Sequence, residues 1–155
     1  MLHRRLTSVA LLAFMLSACQ IVGGENQPRR FTAEINKVVV SPMSKITVVY
    51  VGAYDCPYCR SWESAKSSVI ERLRAKGVDY REAVSPGYNS TGSPYYWPDD
   101  LKWVTTENAA FVARGTPRFL VLVDKTVVSN SVGLGNFPEA YVDQIVAARS
   151  RPTAN

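Results

Sequence analysis

The sequence predicts an α/β fold: a mixed central sheet of about four strands, flanked by helices. Three observations carry that expectation. Ile46-Thr47-Val48-Val49-Tyr50-Val51 and Arg118-Phe119-Leu120-Val121-Leu122-Val123 are β-branched, aromatic and apolar runs that read as buried strands. From Cys59 onward, apolar residues recur at helical spacing. The segment order is strand-helix, strand, helix, then two strands and a helix. Alternation followed by a hairpin implies a mixed sheet covered on both faces.

The chain holds 155 residues, 46% hydrophobic and 20% charged, with a formal charge of +5. One globular domain fits that composition. A disordered tail protein, a collagen-like rod and a polytopic membrane protein do not. Residues 1–18 form a unit of their own. Arg4 and Arg5 precede an apolar run from Leu6 to Leu16, and Ser17-Ala18 are small. This is the pattern of a secretory signal. The run falls short of the roughly 20 residues that span a bilayer. Leu16-Ser17-Ala18-Cys19 resembles the lipobox of bacterial lipoproteins. That resemblance implies cleavage before Cys19, acylation of its thiol and anchoring to the lipid bilayer. It places the protein in a bacterial cell envelope, facing the periplasm. Gln20, not an acid, follows Cys19, which favours the outer membrane where acid-dependent sorting operates.

Removing 18 of the 155 residues leaves 137. Loss of Arg4 and Arg5 from 18 basic residues, against 13 acids, leaves +3. The only histidine, His3, goes too. Without it there is no Ser-His-Asp or Cys-His mechanism and no His metal ligand. No basic stripe suggests nucleic acid.

The remaining elements follow in order. Residues 19–30, with Gly23-Gly24, Asn26 and Pro28, read as a lipidated tether, its last eleven residues reaching about 40 Å when extended. The domain is expected over residues 31–150, with a tail at 151–155. Phe31 to Val40 is ambiguous between strand and short helix. Ile46 to Val51 is the first strong strand, and Gly52 to Asp55 a short loop. A helix follows, with Cys59, Trp62, Ala65, Val69, Ile70 and Leu73 on its apolar face. Arg72, Arg74 and Lys76 suit its last turn, and Gly77 the position just past its end. Val78 to Val84 reads as a strand, and Ser85 to Trp97 as a loop. Pro98-Asp99-Asp100 starts a helix that breaks near Thr105-Thr106 and continues to Arg114. Gly115-Thr116-Pro117 stops it before the second interior strand. Asp124-Lys125 turns the chain into Thr126–Val132, and Pro138-Glu139 opens a last helix through about Ala148.

The chemistry concentrates in Cys56-Pro57-Tyr58-Cys59, where the first strong strand becomes a helix. A thiolate, not a thiol, attacks a disulfide, and a helix N-terminus favours the thiolate through its dipole and free N–H groups. Cys56 is expected at the N-cap, exposed and nucleophilic. Pro57 falls at the first helical position, where its missing N–H costs nothing. Cys59 lies one turn on, near enough to close a disulfide, and on the buried face. It is expected to resolve rather than attack.

This constellation resembles the thioredoxin-fold superfamily, and Cys-Pro-Tyr-Cys is the glutaredoxin string. Thr116-Pro117, about sixty residues after Cys56 and just before an apolar strand, stands where the superfamily has a cis-proline. Val132-Gly133-Leu134 resembles its closing passage into the final helix. The resemblance covers about residues 45–148. It implies that Pro117 shields the sulfurs and that the Thr116 backbone pairs with substrate peptide, while Pro57 and Tyr58 shape the site. It further implies protein thiol–disulfide exchange with exported proteins, a redox partner protein, no organic cofactor and no metal.

The sequence departs from the superfamily in several places. Tyr50 stands where thioredoxins carry a buried Asp, six residues before the first Cys. No His lies between the cysteines, which favours a reductase or isomerase-like direction over an oxidase. The length holds neither a large helical insertion nor a dimerisation domain, so a monomer is expected. Two other readings stand beside exchange. One is a non-enzymatic binding or assembly module. The other is a two-coordinate Cu(I) site, since thiolates suit that ion. A static disulfide closing so short a loop would stabilise little.

Overall fold

The computed structural model describes residues 31–32, 38–112 and 115–150. The signal (1–18), Cys19 with its tether (19–30), the tail (151–155) and the expected helix end at Arg114 lie outside the described residues. So does the middle of the ambiguous Phe31–Val40 segment.

Among the described residues five strands form one sheet, in the order β1-β5-β4-β2-β3. They are β1 (Phe31–Thr32), β2 (Ile46–Ala53), β3 (Asp79–Ser85), β4 (Arg118–Val123) and β5 (Thr126–Val132). The four expected strands are all present. The fifth, β1, is a two-residue edge antiparallel to β5. β2 and β3 run parallel; β2–β4 and β4–β5 run antiparallel. The mixed sheet thus arises as the segment order requires. A helical crossover joins the parallel pair, and the two-residue turn Asp124-Lys125 joins the hairpin. Every residue of β2 and β4 is buried. That matches their unbroken apolar runs, because a central strand covered on both faces needs no polar side.

β2 outlasts its expected end by two residues. Gly52 and Ala53 pair with Val84 and Ser85 of β3 instead of opening a loop. Gly52 fits because the Tyr50 hydroxyl lies over its Cα, where a Cβ would collide with it.

The first long helix, α1 (Pro57–Ala75), ends as its sequence directs. Gly77 takes φ +65°. Its N–H donates to the Arg74 carbonyl at 2.9 Å, and that of Val78 to the Leu73 carbonyl at 3.0 Å. These two bonds close a Schellman motif. The buried stripe holds Cys59, Trp62 and Leu73, with Val69 and Ile70 half-buried. Ala65 is exposed, contrary to expectation, and Lys66 takes its place beside β3. Lys66 is half-buried there, and its ammonium reaches Glu82 at 2.8 Å.

The helical stretch beginning near Pro98 is more broken than its sequence suggests. A 3₁₀ turn (Asp99–Leu101) leads to α2 (Trp103–Glu107) and α3 (Ala109–Val112). The break falls at Asn108, not at Thr105-Thr106. Both threonine hydroxyls bond back to the helix, to the carbonyls of Lys102 and Trp103, so they sit inside a helical turn. The Tyr88–Trp97 aromatics divide. Trp97 is buried, its indole N–H donating to the Thr91 carbonyl at 2.8 Å, while Tyr88 and Tyr95 are exposed.

The last helix, α4 (Glu139–Arg149), lies on the same sheet face as α1. Tyr141 donates its hydroxyl to the Val128 carbonyl at 2.6 Å. Arg149 donates to the carbonyls of Lys76 and Gly77 at the end of α1. Arg72 and Glu139 form a bidentate pair that holds the Glu139 carboxyl below its usual range. The opposite face is covered by Trp97, Leu101, Val104 and Val112. Among the described residues no helix is long and apolar enough to cross a membrane.

Candidate active site

β2 ends at Ala53, whose carbonyl accepts the Cys56 N–H at 3.2 Å. Cys56 is the N-cap of α1, with extended backbone (φ −90°, ψ 113°). Its Sγ accepts the Cys59 N–H at 3.2 Å. The Cys56 side chain therefore satisfies one of the free donors that every helix start leaves. Pro57 occupies the first helical position, as expected. Cys56 and Cys59 are joined in a disulfide, with 5.2 Å between their Cα atoms.

One expectation needs correction: Cys56 is not exposed. It is only 6% accessible, against 2% for Cys59. Both belong to a buried cluster with Tyr50 and Ala53 of β2, Phe119 of β4 and Trp62 of α1. Tyr58, between them in sequence, is 68% exposed. With the exposed Tyr54 it places aromatic side chains beside the half-cystines.

The other half of the site comes from the start of β4. Arg118 pairs with Val51 in the antiparallel register, so the chain just before it runs past Gly52 and Ala53 toward the dithiol turn. There the Thr116-Pro117 peptide is cis. Pro117 is buried and Thr116 half-buried. The Gly133 N–H donates to the Pro117 carbonyl at 2.8 Å, and Gly133 (φ +96°) turns the chain at that point. A dithiol helix after a central strand, parallel to its crossover partner and antiparallel to a strand preceded by a cis-proline, settles the architecture. The fold is thioredoxin-like. The assignment rests on strand order and on where the dithiol and the cis-proline fall.

No family model matches the sequence, and no curated protein matches it. Solved structures do. A thioredoxin from Nicotiana alata is 18% identical, with a TM-score of 0.43; the match covers 68% of this chain and 75% of that one. Thioredoxin f from spinach chloroplast is also 18% identical, with a TM-score of 0.44, over 77% of this chain and 89% of that one.

The thioredoxin-like core carries its own polar groups behind the disulfide. Tyr50 takes the position noted in the sequence, and Glu82 lies beside it in the parallel register. Glu63, from α1, and Glu82 both pair with Lys66. Burial and these two carboxylates push the Tyr50 phenol far above its usual range. Trp62 donates its indole N–H to the Tyr80 hydroxyl at 3.1 Å. Asp55, the acid next to Cys56, accepts the Tyr88 N–H at 2.9 Å, which ties the loop after β3 to the dithiol turn.

Sequence reasoning missed Arg118. It reads as the first residue of a strand, yet it is 95% buried, donating to Asn130 Oδ1 at 2.7 Å and to the Gly115 carbonyl at 3.3 Å. Burial pulls its guanidinium down to about 10. The one available signal was Asn130, a side-chain amide among the polar residues of β5 that can accept from a buried guanidinium.

Among the described residues no three His, Cys, Asp or Glu side chains converge to hold a metal ion. What the arrangement offers is a sulfur pair that can be opened and closed. Helix N–H groups favour the thiolate on one sulfur, and the packed core holds the other.

Proposed function

We propose that this chain is a protein thiol–disulfide oxidoreductase of the bacterial envelope, anchored through acylated Cys19, facing the periplasm and acting on exported proteins. The observation that carries the exchange chemistry is the Cys56–Cys59 disulfide across the first turn of α1, with Cys56 Sγ facing the Cys59 N–H. The lipobox Leu16-Ser17-Ala18-Cys19 supports the anchor.

In the reducing direction, the Cys56 thiolate attacks one sulfur of a client disulfide. The client S–S bond breaks, and its departing sulfur takes the electron pair and then a proton. Cys59 next loses its proton and attacks Cys56 Sγ. The enzyme disulfide closes and the second client thiol leaves. The client gains two electrons and two protons, and the dithiol loses them. A partner redox protein restores it, and the same steps reversed oxidise a client. The missing His between the cysteines favours the reductase or isomerase-like direction. Pro57 and Tyr58 on one side, and Thr116 and Pro117 on the other, hold the client segment. No organic cofactor or metal enters these steps, and a monomer suffices.

One observation favours a second reading, a binding or assembly module with an idle dithiol: Cys56 is only 6% exposed. Trapping decides between them. The full chain carrying Cys59→Ser should accumulate mixed disulfides with exported proteins on Cys56, and the parent should catalyse insulin reduction by a small thiol. Neither turnover nor trapped clients would leave the module reading. For the anchor, Cys19→Ala should move the protein from the membrane to the soluble fraction; continued membrane retention would count against lipidation.

A further inference from the structure

The exchange steps leave one group beside the disulfide unused. Tyr50 is fully buried in the cluster that holds Cys56 and Cys59. Among the described residues its hydroxyl is a buried side-chain polar atom without a hydrogen-bond partner. The ring cannot easily move. Trp62 and Phe119 stand at 5.8 and 5.9 Å between centroids, and Gly52 lies directly beneath the hydroxyl. Glu63 and Glu82 face it but are engaged by Lys66. Their charge, with burial, keeps the phenol protonated. While the disulfide is closed the hydroxyl has no acceptor within hydrogen-bonding distance, and the carboxylate that comes nearest to serving as one, Glu63, is shared with Lys66. A buried polar group in that condition is costly, and native proteins rarely keep one without a use.

Reduction changes what the cluster contains. A disulfide sulfur accepts hydrogen bonds poorly. A reduced Cys59 presents a thiol that accepts weakly, or a thiolate that accepts well. We infer that the Tyr50 hydroxyl donates to the Cys59 sulfur once the disulfide opens, and so biases the pair toward the dithiol. The inference rests on the redox reading of Cys56 and Cys59 and adds a residue that sets their poise. Tyr50 is a positioning residue: no electron passes through it. Two electrons and two protons reach the two sulfurs from the external thiol, which is oxidised to its own disulfide.

The test equilibrates the full chain with glutathione buffers of graded thiol-to-disulfide ratio and counts free thiols by alkylation. Tyr50→Phe should move the equilibrium constant fivefold to tenfold toward the protein disulfide; tenfold corresponds to about 30 mV for a two-electron couple. Urea unfolding supplies a second readout. Oxidised Tyr50→Phe should be at least as stable as the oxidised parent, reduced Tyr50→Phe less stable than the reduced parent, and the difference should match the equilibrium shift. In the unsubstituted protein, the Tyr50 hydroxyl proton should exchange with water more slowly in the reduced state.

An unchanged constant, with both redox forms destabilised alike, overturns the inference, since the hydroxyl would then pair with Glu63 in either state. A shift toward the dithiol overturns it as well, as does a pair that glutathione cannot reduce. Because the measurement needs no client, a shifted constant alongside absent client trapping would uphold Tyr50 and reject the oxidoreductase role.

Discussion

Replacing Cys56 with Ala should bring catalysed disulfide exchange down to the uncatalysed rate, a loss on the order of a thousandfold or more. The reason is positional. Cys56 is the sulfur at the helix cap, accepting the Cys59 N–H at 3.2 Å. On reduction that N–H, the other free donors of the first turn and the dipole of a 19-residue helix all stabilise its thiolate. Cys59 follows inside the turn, 2% exposed. Cys59→Ala should therefore keep the first half of the reaction and stall as a mixed disulfide, while Cys56→Ala performs neither half. Insulin reduction and the order of alkylation of the two thiols in the reduced parent check this. Cys56→Ala retaining a tenth of the parent rate, or Cys59 alkylating first, would reverse the assignment.

Trp62→Ala should cost about 3–5 kcal/mol of stability, the range for truncating a large buried aromatic. Trp62 is 4% exposed. It meets Phe119 edge-on at 4.6 Å, stacks on Phe137 at 5.3 Å and tilts against Tyr50 at 5.8 Å. Its removal opens a cavity among three rings. It also takes from the Tyr80 hydroxyl the indole N–H that donates to it. The thermal midpoint should fall by roughly 10–20 °C. Arg60→Ala, on the exposed side of the same helix, should change stability by no more than about 0.5 kcal/mol. A loss under 1 kcal/mol for Trp62→Ala would mean that the three rings close over the gap. Trp62 is one turn beyond Cys59, so the cavity opens against the disulfide itself.

The architecture was largely legible in the chain because its strongest signals are local. An unbroken apolar run states that a strand is covered on both sides, and β2 and β4 are. Pro57 at the helix start and Gly77 just past its end are conformational signals, and both act where expected. The misreadings share a different cause. Ala65 and Lys66 exchange roles because periodicity weighs polarity, whereas the site beside β3 wants a long stem and a charge within reach of Glu82. Cys56 is read as exposed because its own helix does place it at the tip. Its partners in the buried cluster include Tyr50 of β2 and Phe119 of β4, and no local window joins those three residues. Arg118 fails in the same way. Its burial depends on Asn130 and Gly115, residues from a neighbouring strand and a preceding turn. The dithiol and the cis-proline stood out because each carries a type-specific signature; the polar groups behind them do not.

Gly52 has a consequence for how this protein can change over time. With Tyr50 in place, residue 52 has no room for any side chain, because the phenol occupies the volume a Cβ would need. The two positions are expected to covary. Residue 52 can gain a side chain only after residue 50 gives up its ring, and the reverse order passes through a poorly folding intermediate. The spacing Tyr-x-Gly-x3-Cys-x2-Cys, read here from Tyr50 to Cys59, is thus a signature by which descendants of this particular core would be told from chains that carry a small acid at the same place.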